Sequence, residues 1–147
     1  MTVKIIEETP DVLPQYEKVS IAFTVETFFR VELSENGLGG VKLVEEKVST
    51  PFVKDYDAIE GNEISFIGKQ FDLSNWGILS AFDGEKRIGG ALLAWKTTGV
   101  LMLDGRDDLS CLWDLRVAPE YRGKGFGKIL FDHSIDWAKS KNCRLLK

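Results

Sequence analysis

A glycine-rich turn between a strand-like and a helix-like segment constrains this chain most. Leu109–Val117 is largely apolar and is ended by Ala118-Pro119, whereas Gly125–Ser140 repeats apolar residues at helical spacing. Glycines stand at 123, 125 and 127 between and at the start of these segments. Their backbone N–H groups are approachable, and a helix N-terminus carries about half a positive charge. The sequence therefore predicts an anion site here, with phosphate oxygens as the natural ligand.

Two common phosphate-binding loops do not fit this turn. A P-loop needs a glycine five residues before Gly127-Lys128 and a Ser or Thr after it, but the chain has Arg122 and Ile129. The dinucleotide-binding fingerprint needs glycines at spacings of two and then three, and Lys128 or Leu130 stands where the third would be.

The rest of the chain is rich in strand signals. Val19–Leu33 is dominated by β-branched and aromatic residues, Ser34–Gly40 is typical of a turn, and Val41–Val48 alternates apolar and charged residues. This order predicts a hairpin. A second hairpin is predicted from Ile78–Phe82 and Arg87–Trp95, which flank an Asp-Gly turn.

The length of 147 residues, 44% of them hydrophobic, predicts a single domain, 1–147, with one core. Cys143–Lys147 resembles the start of a further strand, whereas Thr50–Asn75 gives no clear element. The predicted fold class is α+β (mixed α/β), a β-rich first part followed by a strand–loop–helix–strand unit.

Charge is divided unevenly along the chain. Residues 1–115 hold 11 basic and 20 acidic side chains, a balance of −9, whereas residues 116–147 hold 8 basic and 3 acidic, a balance of +5. The basic end suits an anionic ligand and the acidic part suits a cationic one. No arginine–lysine block indicates a nucleic-acid partner.

Several classes are disfavoured by composition. The uncharged apolar runs are too short for a membrane span, and Met1–Pro10 lacks the apolar core of a signal peptide, so a cytoplasmic protein is expected. The single His133 and the cysteines Cys111 and Cys143 have no metal-ligand spacing, so no metal site is expected.

The turn and its flanks resemble motif A of the GNAT N-acetyltransferases, whose pattern is Gln/Arg-x-x-Gly-x-Gly/Ala after a Leu-x-Val-x-Pro strand end. Within that family the segment is most similar to the streptothricin acetyltransferases, whose helix also ends near Trp-Ala, here Trp137-Ala138. The matching positions are Leu115, Val117, Pro119, Arg122, Gly125 and Gly127.

The resemblance implies a GNAT-like fold with a central, mostly antiparallel sheet, and acetyl-CoA as cosubstrate. Amides of Gly123–Gly127 would bind the pyrophosphate, and the backbone of Leu115 and Val117 the pantetheine arm. The Val117 N–H would face the thioester carbonyl and stabilise the oxyanion. The implied cofactor-binding residues are Leu115, Val117, Arg122, Gly123, Lys124, Gly125, Phe126, Gly127 and Lys128.

Two departures from the family leave the catalytic residues unassigned. Many members have a glutamate base four residues before the motif valine, where this chain has Trp113 with Asp114 beside it. Strand alternation predicts that Asp114 and Trp113 lie on opposite faces, and Asp114 is interpreted as a structural hydrogen-bond partner. The family also continues past the position of Lys147, so a fold lacking its C-terminal part is expected.

The resemblance implies an N-acetyltransferase that moves an acetyl group from acetyl-CoA to a primary amine of a small acceptor, by direct attack in a ternary complex. The acidic charge of residues 1–115 favours a cationic acceptor. A streptothricin-type antibiotic, and hence antibiotic resistance, is one acceptor hypothesis. The alternative is a CoA-binding but catalytically deficient homologue, a sensor or a fragment. An uncovered sheet edge at the end of the chain predicts a homodimer.

Overall fold

The computed structural model describes residues 2–147, which form two compact units. The larger unit contains the residues up to Ile21 together with Asp57–Lys147, and the smaller one is Ala22–Tyr56. The single domain expected over 1–147 stays a prediction.

The larger unit is built on a five-stranded sheet with strand order β1-β4-β5-β6-β7. All neighbouring strands are antiparallel except β6 and β7, which are parallel. The mostly antiparallel α+β fold is therefore confirmed. The strands are β1 (Val3–Glu8), β4 (Gly77–Asp83), β5 (Lys86–Trp95), β6 (Leu109–Val117) and β7 (Leu145–Leu146).

Helices cover both faces of this sheet. On one face the short helices α1 (Leu13–Tyr16) and α2 (Ile67–Gln70) contribute to a buried cluster with β4, β5 and β6. On the other face α3 (Phe126–Ser140) buries Leu130 and Trp137 against the sheet. Among the residues described, no helix has the length and apolar content needed to span a membrane.

The smaller unit is the hairpin predicted from the sequence. Strand β2 (Phe23–Leu33) pairs antiparallel with β3 (Val41–Lys54) across a 3₁₀ turn at Ser34–Gly37. Strand β3 extends beyond its predicted end, because pairing resumes after a register shift and Val25 then faces Phe52. Pro51 lies in this irregular stretch, where no ladder hydrogen bond is required of it.

Strand β2 begins at Phe23 rather than at the predicted Val19, because the preceding backbone is committed to another contact. The carbonyls of Glu17 and Val19 accept hydrogen bonds from the guanidinium of Arg116, at 3.3 and 3.0 Å. These residues therefore belong to the larger unit and not to the hairpin.

Arg116 is the largest fully buried side chain of the described residues. Its guanidinium donates to both carboxylate oxygens of Asp114, from Nε at 2.8 Å and Nη2 at 3.1 Å. It also donates from Nη1 to Asp57 Oδ2 at 3.0 Å. Below the guanidinium lies the ring of Tyr16, whose hydroxyl donates to Asp114 at 2.7 Å. A buried charge is thus paired and fully hydrogen-bonded, as its burial requires.

This arrangement changes the pKa values of Arg116 and Tyr16. Burial alone would lower the pKa of the Arg116 guanidinium, but the hydrogen bonds and charges of Asp114 and Asp57 outweigh it and raise that pKa. Burial, and then the adjacent Asp114 charge, raise the pKa of Tyr16 well above its ordinary value. Arg116 therefore stays charged and Tyr16 stays neutral at physiological pH.

We expect Arg116→Ala to lower the free energy of unfolding by about 3–5 kcal/mol, because it leaves the carboxylates of Asp114 and Asp57 without their buried partner. Urea denaturation followed by circular dichroism measures this change. Arg106→Ala is the matched control, because the Arg106–Asp108 ion pair is exposed and its loss changes stability little. Equal stability of the two variants would contradict this role of Arg116.

Candidate functional site

The glycine-rich turn has a backbone that depends on its glycines. After β6 the chain makes a 3₁₀ turn at Pro119–Tyr121, and then Gly123 and Gly125 take φ values of 71° and 89°. Gly125 is the residue that precedes the first turn of α3. Residues other than glycine rarely adopt such positive φ values, so the backbone conformation that precedes α3 depends on these two glycines.

The turn presents unpaired backbone donors at the start of α3. The first hydrogen bond of the helix runs from the Ile129 N–H to the Gly125 carbonyl, at 3.1 Å. The N–H groups of Phe126, Gly127 and Lys128 therefore have no partner within the helix. Together with the helix dipole these N–H groups suit an anionic ligand, and the anion site stays a prediction.

The cationic side chains around the turn are engaged by the protein itself. Arg122 donates from Nε to the Val117 carbonyl at 2.9 Å and from Nη2 to the Ser20 carbonyl at 2.8 Å. Lys124 donates to the Glu120 carbonyl, and the exposed Lys128 pairs with Asp132. Arg122 thus acts as a brace that joins the turn to the end of β6 and to the segment after α1.

The first turn of α3 lies directly over the motif strand. A Cβ added at Gly127 would lie 3.8 Å from Leu115 Cδ2 and 4.0 Å from Val117 Cγ2, which is ordinary van der Waals contact. Phe126 is buried beside the ring of Tyr121, at 6.0 Å between centroids. The structure therefore brings the predicted cofactor-binding residues together at one end of β6.

One backbone edge of β6 is open beside this turn. The Ala118 N–H points towards β5 and donates to the Ile88 carbonyl at 2.8 Å. Because N–H directions alternate along a strand, those of Val117 and Leu115 point to the other edge. Within residues 2–147, β7 pairs with β6 only at Leu109 and Ser110. Within residues 2–147 the N–H groups of Leu115 and Val117 therefore face an edge with no paired strand, whereas the Val117 carbonyl accepts from Arg122.

The expected placement of Asp114 is wrong. The pairing register shifts so that Leu92 faces Asp114 and Leu93 faces Leu112, which leaves Trp113 as the extra residue of a β-bulge. Trp113 and Asp114 consequently project to the same face of the sheet. Trp113 packs against the cluster that contains Tyr16, and Asp114 accepts the Tyr16 hydroxyl.

The interpretation of Asp114 as a structural partner is confirmed, since its carboxylate is occupied by Tyr16 and Arg116. Sequence reasoning missed Arg116 itself. The available signal was the Asp-x-Arg spacing, which places two opposite charges on one face of an otherwise apolar strand.

Aromatic side chains surround the position where many GNAT members have glutamate. The Trp113 ring lies 5.4 Å from that of Trp76 and 5.5 Å from that of Phe71. Among the described residues, no group of three or more His, Cys, Asp and Glu side chains is arranged to hold a metal ion. The Trp113 side chain therefore lies among aromatic rings, whereas the carboxylate of the neighbouring Asp114 on the same face is bound by Tyr16 and Arg116.

The sequence profile of the acetyltransferase (GNAT) family matches residues 43–147, well over half of the chain. The chain belongs to this family. The match includes the bulged strand, the glycine-rich turn and α3.

Solved GNAT structures share the fold at low sequence identity. Nourseothricin acetyltransferase superposes with a TM-score of 0.65 at 21% identity, covering 99% of this chain and 73% of its own. A Bacillus anthracis protein described as a streptothricin acetyltransferase was solved with acetyl coenzyme A. It superposes with a TM-score of 0.61 at 21% identity, covering 99% of this chain and 74% of its own. The Escherichia coli ribosomal-protein-S18-alanine N-acetyltransferase superposes with a TM-score of 0.54 at 13% identity, covering 99% of this chain and 66% of its own. No curated protein sequence matches the chain.

We expect CoA at about 100 times its Kd to stabilise the protein by about 2.7 kcal/mol, a rise in Tm of several degrees. Gly125→Val should abolish this rise, because a branched residue does not hold φ near 89° and the N–H groups of α3 shift. Differential scanning fluorimetry with and without CoA measures both values.

The matched control is Gly127→Ala, which adds one methyl in ordinary contact with Leu115 and sits within the helix. It should keep the CoA-induced rise and gain about 0.5–1 kcal/mol of stability from its better helix propensity. A full rise in Tm in Gly125→Val would show that CoA binds elsewhere.

Proposed function

We propose that this protein is an acetyl-CoA-dependent N-acetyltransferase that acetylates a primary amine of a small cationic acceptor. The observation that carries the proposal is the open backbone edge of Leu115 and Val117 beside a turn of unpaired N–H donors. A diphosphate joined to an extended amide-containing arm matches both features at once. Membership of the GNAT family supports this assignment.

Each part of acetyl-CoA has a complementary group. The N–H groups of Gly123–Gly127 and Lys128 suit the pyrophosphate, with Lys124 and Arg122 adding positive charge beside it. Backbone groups of Leu115 and Val117 suit the amides of the pantetheine arm. Phe126 takes part through its N–H, while its buried ring anchors the start of the helix.

The reaction is a direct acyl transfer. The neutral amine nitrogen attacks the thioester carbonyl carbon, and the oxyanion formed is stabilised by the Val117 N–H. Collapse of this tetrahedral species breaks the C–S bond, and the CoA thiolate leaves and is protonated. The nitrogen loses one proton and gains the acetyl group. Binding both substrates together supplies the proximity that such a reaction needs.

A cationic acceptor is supported by two observations. Residues 1–115 carry a balance of −9, which attracts cations towards the part of the chain outside the cofactor turn. Two of the structural neighbours are described as acetyltransferases of nourseothricin and streptothricin. We therefore propose a streptothricin-type antibiotic as the first acceptor to test, with a role in resistance and a cytoplasmic location.

A second candidate function rests on the bulge. Trp113 occupies the position of the family's glutamate, and the neighbouring Asp114 is held by Arg116 and Tyr16. A chain without a base at this position that still binds CoA would act as a sensor. The two functions differ in whether thioester cleavage follows binding.

We expect release of free CoA thiol when acetyl-CoA is mixed with streptothricin, and an acceptor mass increased by one acetyl group. A thiol-reactive dye and mass spectrometry measure the two products, with spermidine and lysine as further acceptors. Gly125→Val should lose the activity and Gly127→Ala should retain it.

Stabilisation by CoA without thiol release on any of these amines would support the sensor instead. Neither stabilisation nor release would contradict both functions.

A further inference from the structure

The edge of β6 to which the Val117 N–H points is held by a side chain in place of a neighbouring strand. The N–H and C=O of one residue in a strand point to the same edge, so the Val117 carbonyl lies on this edge as well. Arg122 Nε donates to that carbonyl at 2.9 Å. Within residues 2–147, β7 reaches only Leu109 and Ser110 of β6. The guanidinium therefore makes a hydrogen bond that a paired strand would otherwise supply.

The opposite edge of the same strand end is held by β5. The Ala118 N–H donates to the Ile88 carbonyl at 2.8 Å. Gly89 faces Val117 in the antiparallel register, and a Cβ added at Gly89 would lie only 2.6 Å from the Arg116 carbonyl oxygen. That carbonyl belongs to the same peptide group as the Val117 N–H. Close packing on one edge and the guanidinium on the other therefore restrain the backbone on both sides of this N–H.

A second nitrogen of the same guanidinium reaches a different part of the fold. Arg122 Nη2 donates to the Ser20 carbonyl at 2.8 Å, and Ser20 follows α1 in the same compact unit. A guanidinium is planar and rigid, so hydrogen bonds from two of its nitrogens fix its plane as well as its position. Because Nε and Nη2 both donate to carbonyls of the protein, these two nitrogens are not directed at a pyrophosphate.

We propose that Arg122 is a positioning residue, which holds the Val117 N–H in the direction that stabilises the oxyanion of the acyl-transfer reaction. This inference rests on the proposed function, and it gives Arg122 a role other than contact with the pyrophosphate. A hydrogen-bond donor that is already oriented when charge develops stabilises the transition state most, because it pays no cost of reorientation. A misplacement of about 1 Å can lower the rate about a hundredfold.

The alternative role of Arg122 is electrostatic, in which its positive charge attracts the diphosphate of acetyl-CoA. The two roles make different demands on the side chain. Positioning requires a hydrogen-bond donor at the place of Nε and needs no net charge. Attraction requires the charge and tolerates a displaced nitrogen. An acetyl donor without a diphosphate is sensitive to positioning and insensitive to attraction.

Acetyl transfer from two acetyl donors distinguishes these roles. S-acetylpantetheine has the thioester and the amide-containing arm of acetyl-CoA but lacks the diphosphate. We expect Arg122→Ala to lower kcat/KM by about ten- to a hundredfold with both acetyl donors and by a similar factor, because both depend on the Val117 N–H. With acetyl-CoA the loss should lie in kcat and not in KM. A loss confined to acetyl-CoA would overturn the proposal.

Two conservative variants separate hydrogen bonding from charge. Arg122→Gln is neutral, and its amide nitrogen lies the same number of bonds from Cα as Nε does, so it can still donate to the Val117 carbonyl. Arg122→Lys keeps the charge, but its ammonium lies further out along the side chain. With S-acetylpantetheine we expect Arg122→Gln to be several-fold more active than Arg122→Lys. The reverse order would contradict positioning and assign the effect to charge.

The matched control is Arg144→Ala, which also removes an arginine side chain. Arg144 precedes β7 and its side chain is 83% exposed. This variant should use both acetyl donors as the wild type does. Thermal denaturation shows which variants are folded at the assay temperature. If Arg122→Ala is not, the comparison of Arg122→Gln with Arg122→Lys decides between the two roles.

Failure of the proposed function gives a different result. A wild type that releases no thiol from either acetyl donor on any amine contradicts acetyl transfer itself. An active wild type whose Arg122→Ala variant is as active as the Arg144→Ala control contradicts only the positioning role.

Discussion

The structure depends on one buried cation. The guanidinium of Arg116 has lost all contact with water, so every donor must find an oxygen within the protein. It finds them in three separate parts of the sequence, at Asp57, at Asp114 and at the two carbonyls that follow α1. Arg116 therefore joins two parts of the larger unit, the residues up to Ile21 and those from Asp57 onward, that are far apart in the sequence.

The same interaction shapes the chemistry available at the motif strand. Arg116 lies between Leu115 and Val117, and its side chain projects from one face of β6, away from the strand edge to which the N–H groups of its two neighbours point. A second arginine, Arg122, donates hydrogen bonds to the carbonyls of Val117 and Ser20 and so joins the end of β6 to the segment after α1. The carboxylate of Asp114, which is the one nearest to the bulge, is hydrogen-bonded to Arg116 and Tyr16 and is therefore not available as a base.

Membership of the GNAT family and the extent of the fold come from different parts of the chain. The family profile begins at residue 43, within the hairpin, yet the structural neighbours superpose over 99% of the chain. The fold that the chain shares with these neighbours therefore extends to residues that precede the match to the family profile.

The sequence by itself determined the elements whose signals are local. Strand β6, helix α3 and both hairpins follow from periodicity and turn residues, and the glycines at 123 and 125 follow from the need for positive φ. Features that depend on contacts between distant residues were not predictable from the sequence. A bulge at Trp113 reverses the expected facing of Asp114, and no local pattern reveals it because it arises from pairing with β5. Partners of Arg116 lie up to 99 positions away along the chain. Only the tertiary structure brings such distant groups together, because a buried charge selects its partners by position in space and not by position in sequence.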